Sequence, residues 1–549
     1  MELIPVTEIL SGTLFIRTEI WLTAGILVLL LLSMSPKLTA QRDLMGYTAL
    51  FFLVSGCFVL YYTNVRQLPL YYPQQSAGPL DMGNDNRMLF VDRLGNFFKF
   101  VLLLSGAGAV LVSMRSKQLL KHFHAEIHAL ILTLVIGGML MVSSMDLLMI
   151  YLAIEFVSII SYLMPGMQKA SPHAAEANAK YMLYGGVTSG FMIFGMSYLY
   201  GITGSTSIFE IRDAILVSPN KTSALLGVIL FMSGLGYKIS IVPFHFWAPD
   251  VYQGAPTPVT AFFSVAPKAA GFGLLIRVVD SMLTTQNPMT SLPIPAMARA
   301  ENPVPLAIPL PGVDWMPLLF WSAIFTMIIG NLAAMGQKSA KRMLAYSSIA
   351  HAGYMLMGIV VLTPRGYASV TLYLAIYAIM NLGAFFVVQM VEEARRSDDI
   401  SAFKGLLRSS PWLAVAMCIF LFSLTGLPPF SGFVGKFFVF AAVVNEYVRL
   451  KDPKFLYLAL VGVLTSVVSL FYYARIVISM MEGAAQDEEA HEGHGHVRAE
   501  KAAELPPVKP GLFEYGVLYG LFVLPTVFII VKFDMLKRLT DSAIYLFGN

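Results

Sequence analysis

The sequence predicts an all-α integral membrane protein of about fourteen transmembrane helices. Three observations predict it. Apolar residues make up 57% of the 549-residue chain and charged residues only 13%, about half the roughly 25% charge of a soluble domain. Runs long enough to cross a ~30 Å hydrocarbon core, ~20 residues at ~1.5 Å rise, recur from one end to the other. Two of those runs are interrupted by proline close to a lysine, a pattern that ordinary core helices do not need.

The cores of the runs, in order, are residues 20–34, 47–62, 97–114, 127–142, 147–164, 181–200, 224–241, 257–279, 318–335, 343–362, 368–390, 412–444, 455–480 and 515–533. The twelfth is long and interrupted. Of the connections, 67–92 is polar and proline-bearing, and 208–217 alternates apolar and charged residues at the spacing of a surface amphipathic helix. Residues 284–315 are proline-rich and expected to be irregular, and 486–510 carry an acidic, histidine-bearing stretch. The expected organisation is one polytopic domain: three N-terminal helices (1–125), helices 4–8 (126–281), helices 9–13 (316–482), a polar loop (483–513), and a last helix with its tail (514–549).

Composition also excludes functions. Cys57 and Cys418 lie in separate apolar runs with no C-x-x-C spacing, so iron–sulfur, zinc and disulfide readings are poor. The net charge of +4 is spread through loops, which argues against nucleic acid as a partner. No glycine-rich nucleotide fingerprint stands out. Glu2, Glu8 and Glu19 precede the first apolar run, so it reads as a retained helix rather than a signal peptide. Basic residues such as Lys37, Arg42, Arg115, Lys117, Lys338, Arg342, Arg395 and Arg408 fall on one side, which places that side in the cytoplasm and the amino terminus outside.

Ionisable residues inside or at the edge of the apolar runs include Glu155, Lys180, Lys238, Lys268 and Lys436. Each costs at least ~2.5–3.5 kcal/mol to insert and usually lines an ion path. Lys180, near a helix start, has a bland alternative, an amine snorkelling to the interface or paired locally with Glu176 four residues earlier. That alternative leaves Glu155 without a partner. Burial disfavours the charged amine and a nearby carboxylate favours it, so an acid followed by amines is a sensible proton relay.

The interruptions form the second signal. Lys238 is followed by I-S-I-V-P-F-H-F-W, where Pro243 stops helical hydrogen bonding, and Lys436 ends L-T-G-L-P-P-F-S-G-F-V-G-K, with Pro428 and Pro429. The two stretches lie five helices apart. Interrupted segments at corresponding positions point to inverted repeats, here helices 4–8 and 9–13, with helices 7 and 12 broken.

The run from Gly236, G-Y-K-I-S-I-V-P-F-H-F-W-A-P-D-V-Y-Q-G-A-P-T-P-V-T-A-F-F-S-V-A-P-K, resembles the antiporter-like proton-translocating subunits of respiratory complex I. V-Y-Q-G-A-P-T-P-V favours the subunit N type. Y-L-A-I-E-F-V-S-I-I-S-Y, E-A-N-A-K-Y-M-L-Y-G-G, K-R-M-L-A-Y-S-S-I-A-H-A-G-Y and L-P-P-F-S-G-F-V-G-K fit as well, and the resemblance spans residues 126–480.

The resemblance implies fourteen helices in two inverted five-helix repeats and a relay of Glu155, Lys180, Lys238, His245, Lys268 and Lys436. In it Lys180 neighbours Glu155, and His245 carries protons between Lys238 and Lys268 or else stabilises the helix break. It implies a multi-pass protein of the bacterial inner membrane, with a periplasmic amino terminus. The partners would be complex I subunits of the M, K, J and A types. NADH, FMN, iron–sulfur clusters and quinone would be held or used by partner subunits, with no cofactor on this chain. Asn381 stands where sister subunits often carry histidine, which again fits subunit N. The insert with His491, His494 and His496 falls outside the family pattern and reads as a solvated loop rather than a metal site. The competing readings are a subunit of a multi-subunit cation/proton antiporter, which shares the lysines and breaks, and a non-conducting scaffold, which has no use for buried amines.

Overall fold

A computed structural model describes residues 16–35, 41–62, 88–119, 124–167, 172–286, 307–492 and 505–531. The chain begins with α1 (Arg17–Ser33), α2 (Arg42–Leu60), α3 (Arg93–Ser113), α4 (His124–Ser143) and α5 (Leu147–Leu163). Asp92 and Asp146 accept from backbone N–H groups in the first turns of α3 and α5, the usual way an aspartate starts a helix. The chain continues with α6 (Pro172–Thr203), α7 (Ile208–Val217), α8 (Lys221–Ile239), α9 (Trp247–Gly254), α10 (Thr257–Phe263) and α11 (Ala266–Ser281). As its pattern predicts, α7 is a short amphipathic helix, burying Ile208, Ile211 and Ile215 on one face.

The proline-rich connection after α11 is not wholly irregular. Residues Thr284–Gln286 pair antiparallel with Ala307–Pro309, Thr284 opposite Pro309. Then follow α12 (Met316–Met335), α13 (Ala340–Val360), α14 (Pro364–Arg395), α15 (Pro411–Thr425), α16 (Ser431–Leu450) and α17 (Pro453–Glu492). The helix α17 runs past the end of its apolar stretch, so part of the expected polar loop is helical. His494 and His496, with the side chain of His491, lie outside the description. The last helical run starts with α18 (Leu512–Val517), passes through a π turn (Leu518–Val523), and ends in α19 (Leu524–Val531).

Among the described residues, ten helices are long and apolar enough to cross a membrane, with two shorter apolar helices at 411–425 and 512–527. Their burial is uneven, and that locates the core. The span formed by α10 and α11 is 100% buried over its most apolar stretch, α13 94% and α14 89%, against 39% for α2 and α17. Three central spans are therefore wrapped by helices that turn apolar faces outward, as expected where lipid rather than water surrounds the protein.

Helix breaks give the fold its character. The helix α8 ends on Ser240, in a left-handed conformation (φ 61°), and α15 ends on Gly426 (φ 89°), whose N–H caps the Phe422 and Ser423 carbonyls. Left-handed ends of this kind satisfy carbonyls that have lost helical partners. The peptide bonds before Pro243 and Pro429 are both cis. A third break lies where an unbroken helix is expected. Residues Ser264 and Val265 separate α10 from α11, with Pro267 in the first turn of α11. Proline is tolerated there because its missing N–H would have no helical acceptor.

Candidate functional site: a chain of buried amines and hydroxyls

Lys238, Lys268 and Lys436, all deeply buried, each sit beside one of these breaks. Lys238 lies in the last turn of α8, Lys268 in the first turn of α11, and Lys436 six residues into α16. All three are 2–4% exposed. The breaks free backbone carbonyls to receive ammonium groups inside the membrane. Lys436 shows this directly, donating to the Thr425 carbonyl (2.8 Å) at the end of α15 and to Ser466 Oγ (2.9 Å) on α17. Its ammonium also lies 4.7 Å from the Tyr354 ring centroid, within cation–π range.

Lys268 donates to the backbone carbonyl of Ser348 (2.9 Å) and to its hydroxyl, and Tyr377 donates to the same hydroxyl at 2.8 Å. Three residues on along α13, His351 is 2% exposed, its Nδ1 2.5 Å from the Tyr373 hydroxyl and its Nε2 3.4 Å from that of Tyr473. Tyr473 also bonds Ser347 Oγ (2.5 Å). Three residues further stands Tyr354, whose ring holds Lys436 and whose hydroxyl meets Asn331 (3.1 Å) and Thr465 (3.3 Å). Residues spaced by three share one helix face. One face of α13 therefore carries Ser348, His351 and Tyr354 from Lys268 to Lys436.

The first half of the expected relay is built differently. Lys238 donates to Ser158 Oγ (3.1 Å) on α5, and Ser158 lies one turn beyond Glu155. Glu155 is half-buried and accepts from the Ser189 hydroxyl on α6. Lys180 is not brought to Glu155. It pairs with Glu176 and Asp250, each at 2.8 Å, and Asp250 is shared with Arg342 at 2.6 Å. The residue that does meet Glu155, Ser189, lies nine positions beyond Lys180, about 13 Å along the helix. Lys180 is also 38% exposed, unlike the three buried lysines.

His245 is buried in the first break with its ring 4.2 Å from that of Phe246, and its Nδ1 makes no well-aligned hydrogen bond. Among the described residues, no hydrogen bond joins Lys238 to Lys268. Between their helices, Gly271 leaves room for the side chain of Ile239.

Sequence reasoning missed two features. His351 was legible as a lone histidine within the apolar run A-Y-S-S-I-A-H-A-G-Y. Lys99, in F-F-K-F-V-L, is another amine in an apolar run, and it pairs with Glu19 at 2.6 Å, both side chains at most 6% exposed. That pair joins α1 to α3, apart from the lysines above.

Known proteins resemble this chain along most of its length. Residues 144–298 and 304–468 match the family model described as NADH:quinone oxidoreductase/Mrp antiporter, TM. All three breaks and every lysine of the chain above fall inside those residues. The chain is 38% identical over 552 residues to NADH-quinone oxidoreductase subunit N of Anaeromyxobacter sp. (strain Fw109-5), covering 99% of this chain and 98% of the relative.

The chain belongs to the subunit N family of NADH-quinone oxidoreductases. It is also 44% identical over 404 residues to subunit N 2 of Chloroherpeton thalassium, covering 73% and 74% of the two chains. Among solved structures it resembles a chain of respiratory complex I from Thermus thermophilus (TM-score 0.68, 26% identity, 95% and 99% covered). A chain of the Mrp complex from Dietzia sp. shares the fold (TM-score 0.73, 18% identity, 97% of each covered).

Proposed function

We propose that this chain is a proton-translocating membrane subunit N of an NADH:quinone oxidoreductase. In this reading NADH oxidation and quinone reduction occur on partner subunits that hold FMN and iron–sulfur clusters, and protons cross the membrane here. The observation that carries it is the buried chain from Lys268 through Ser348, His351 and Tyr354 to Lys436. Hydroxyls and imidazole exchange protons, whereas a lipid-embedded scaffold gains nothing from inserting amines.

The relay runs from Glu155 through Lys238 and Lys268 to Lys436. Ser158, one turn from the first acid, receives the first amine, and His351, absent from the sequence-based relay, stands between the second amine and the third. Lys180 belongs to a polar cluster with Asp250 and Arg342 and acts at the entrance, and His245 lines the gap between Lys238 and Lys268, which a water file would cross. The architecture is fourteen spans with inverted repeats over helices 4–8 and 9–13, supported by the matching breaks at Pro243 and Pro429. The bilayer is the bacterial inner membrane, with the amino terminus periplasmic, and the neighbours are subunits of the M, K, J and A types.

The test is the intact complex carrying Lys238→Ala or Glu155→Ala. Loss of proton pumping per NADH is expected, and normal pumping by an assembled variant refutes the roles. Arginine stays charged at any accessible pH, so Lys268→Arg is expected to stop transfer at that position. The competing reading, a cation/proton antiporter subunit, is supported by the shared Mrp fold but not by the long relationship to subunit N. Co-purification with flavin and iron–sulfur subunits separates the two.

A further inference from the structure

Away from the buried lysines, three helix ends enclose a cleft of about 680 Å³. They are the start of α2, the end of α3 and the start of α18. Its charged lining is balanced, with Arg115 and Lys117 facing Asp43 and Glu514. The Arg115 guanidinium is steadied over the Phe513 ring, 4.5 Å from the centroid. It stands 4.0 Å from Asp43, with the two side chains 46% and 56% exposed. That distance is too long for a hydrogen bond, so both groups keep capacity for a ligand. Glu514 lines the same cleft, with its Oε2 buried and without a hydrogen-bond partner.

The cleft lies at the end of two membrane spans, Asp43–Leu60 and Arg93–Ser113, which is headgroup depth. Beyond Asp43, the face of α2 carries Tyr47, Phe51, Val54 and Phe58, each at least half exposed. Their spacing of four, four, three and four residues from Asp43 makes one stripe down the helix. A mixed-charge cleft therefore opens onto an apolar track pointing into the bilayer.

We propose that this cleft binds an aminophospholipid. Its phosphate lies against Arg115 and Lys117, its primary ammonium against Asp43 and Glu514, and an acyl chain along the Tyr47–Phe58 face. Two cations and two carboxylates match a zwitterion better than a net anionic headgroup. Carboxylate oxygens accept hydrogen bonds from a primary ammonium, and a choline headgroup has none to donate.

The test uses the full chain in its native assembly, in vesicles containing a photoreactive phosphatidylethanolamine with the reactive group on the acyl chain. Label is expected on the α2 peptide bearing Tyr47–Phe58. Unlabelled phosphatidylethanolamine is expected to compete at least tenfold better than phosphatidylcholine, which has no N–H to donate, or phosphatidylglycerol, which has no cation. Soluble glycerophosphoethanolamine, which has no chain to place on the stripe, is expected not to compete. Losing both cations in Arg115→Gln/Lys117→Gln lowers labelling by about 25-fold, about fivefold per cation. Asp43→Asn/Glu514→Gln keeps labelling but abolishes the preference over phosphatidylglycerol.

Should either double variant fail to assemble, Asp43→Asn alone changes a side chain more than half exposed and must itself narrow that preference. Equal competition by the three lipids on the wild type overturns the proposal. So does labelling that neither double variant alters, or cross-linking of the cleft to a neighbouring protein chain.

Discussion

Replacing Lys268 by methionine separates function from stability. The lysine is 4% exposed and bonded only to the carbonyl and hydroxyl of Ser348, with no carboxylate partner among the described residues. Removing the charge relieves an insertion cost of about 3 kcal/mol. It forfeits two charge-assisted hydrogen bonds worth about 1.5 kcal/mol each at the low end. The Ser348 hydroxyl keeps Tyr377 as a donor, so no buried group is stranded on that side. Methionine fills nearly the same volume with an adaptable chain. The net change is about zero, in line with other buried ions whose exchange for apolar residues is neutral.

Lys268→Met is therefore expected to assemble normally, with a thermal midpoint close to wild type, and to lose proton transfer. The assay reconstitutes the intact complex in sealed vesicles and follows NADH oxidation together with acidification reported by a pH-sensitive dye. Unchanged acidification per NADH refutes the relay. Destabilisation beyond about 3 kcal/mol refutes the reasoning another way, because the amine would then be a structural strut.

Three further outcomes follow from the same geometry. Glutamine at His351 can still bond Tyr373 and Tyr473 but cannot take up a proton, so His351→Gln is expected to assemble and pump at least about tenfold more slowly; wild-type rates would exclude His351 from the path. Glu19→Gln strands Lys99 in an apolar setting and is expected to cost about 3–5 kcal/mol, measured as a fall in thermal midpoint, whereas Glu19→Leu with Lys99→Met recovers most of it. If the single and double variants melt alike, the pair is not an isolated buried ion pair. At Gly432 a Cβ would collide with the Ser423 carbonyl, where the two halves of the second break cross; Gly432→Ala is expected to destabilise by about 1–3 kcal/mol, seen as reduced assembly, and normal assembly would show that the crossing can relax.

How legible these features were depends on how local their causes are. Pro243, Pro428 and Pro429 announce two breaks because proline removes a helical donor wherever it stands. Pro267 announces a third less clearly, since it lies in the first turn of α11 and proline is also at home there. The lysines at 238, 268 and 436 stood out against apolar flanks. Lys99 met the same criterion, yet it belongs to a pair with Glu19, 80 positions earlier, and no helical spacing joins them. Lys180 is ambiguous for the same reason: its i, i+4 partner Glu176 is visible in the sequence, but Asp250 and Arg342 come from other helices.

Read alone, the residues were enough to establish a membrane protein of apolar helices, two of its three backbone breaks, and which side chains are costly enough to need a reason for being there. Those properties depend on the residue and its immediate neighbours. The partners those side chains meet came from the packed helices: Ser348 for Lys268, Thr425 and Ser466 for Lys436, Ser158 for Lys238, and His351 between two lysines. Hydrogen bonds form within about 3 Å, and which groups come that close is set by how separate helices pack, a property no single stretch of the chain contains.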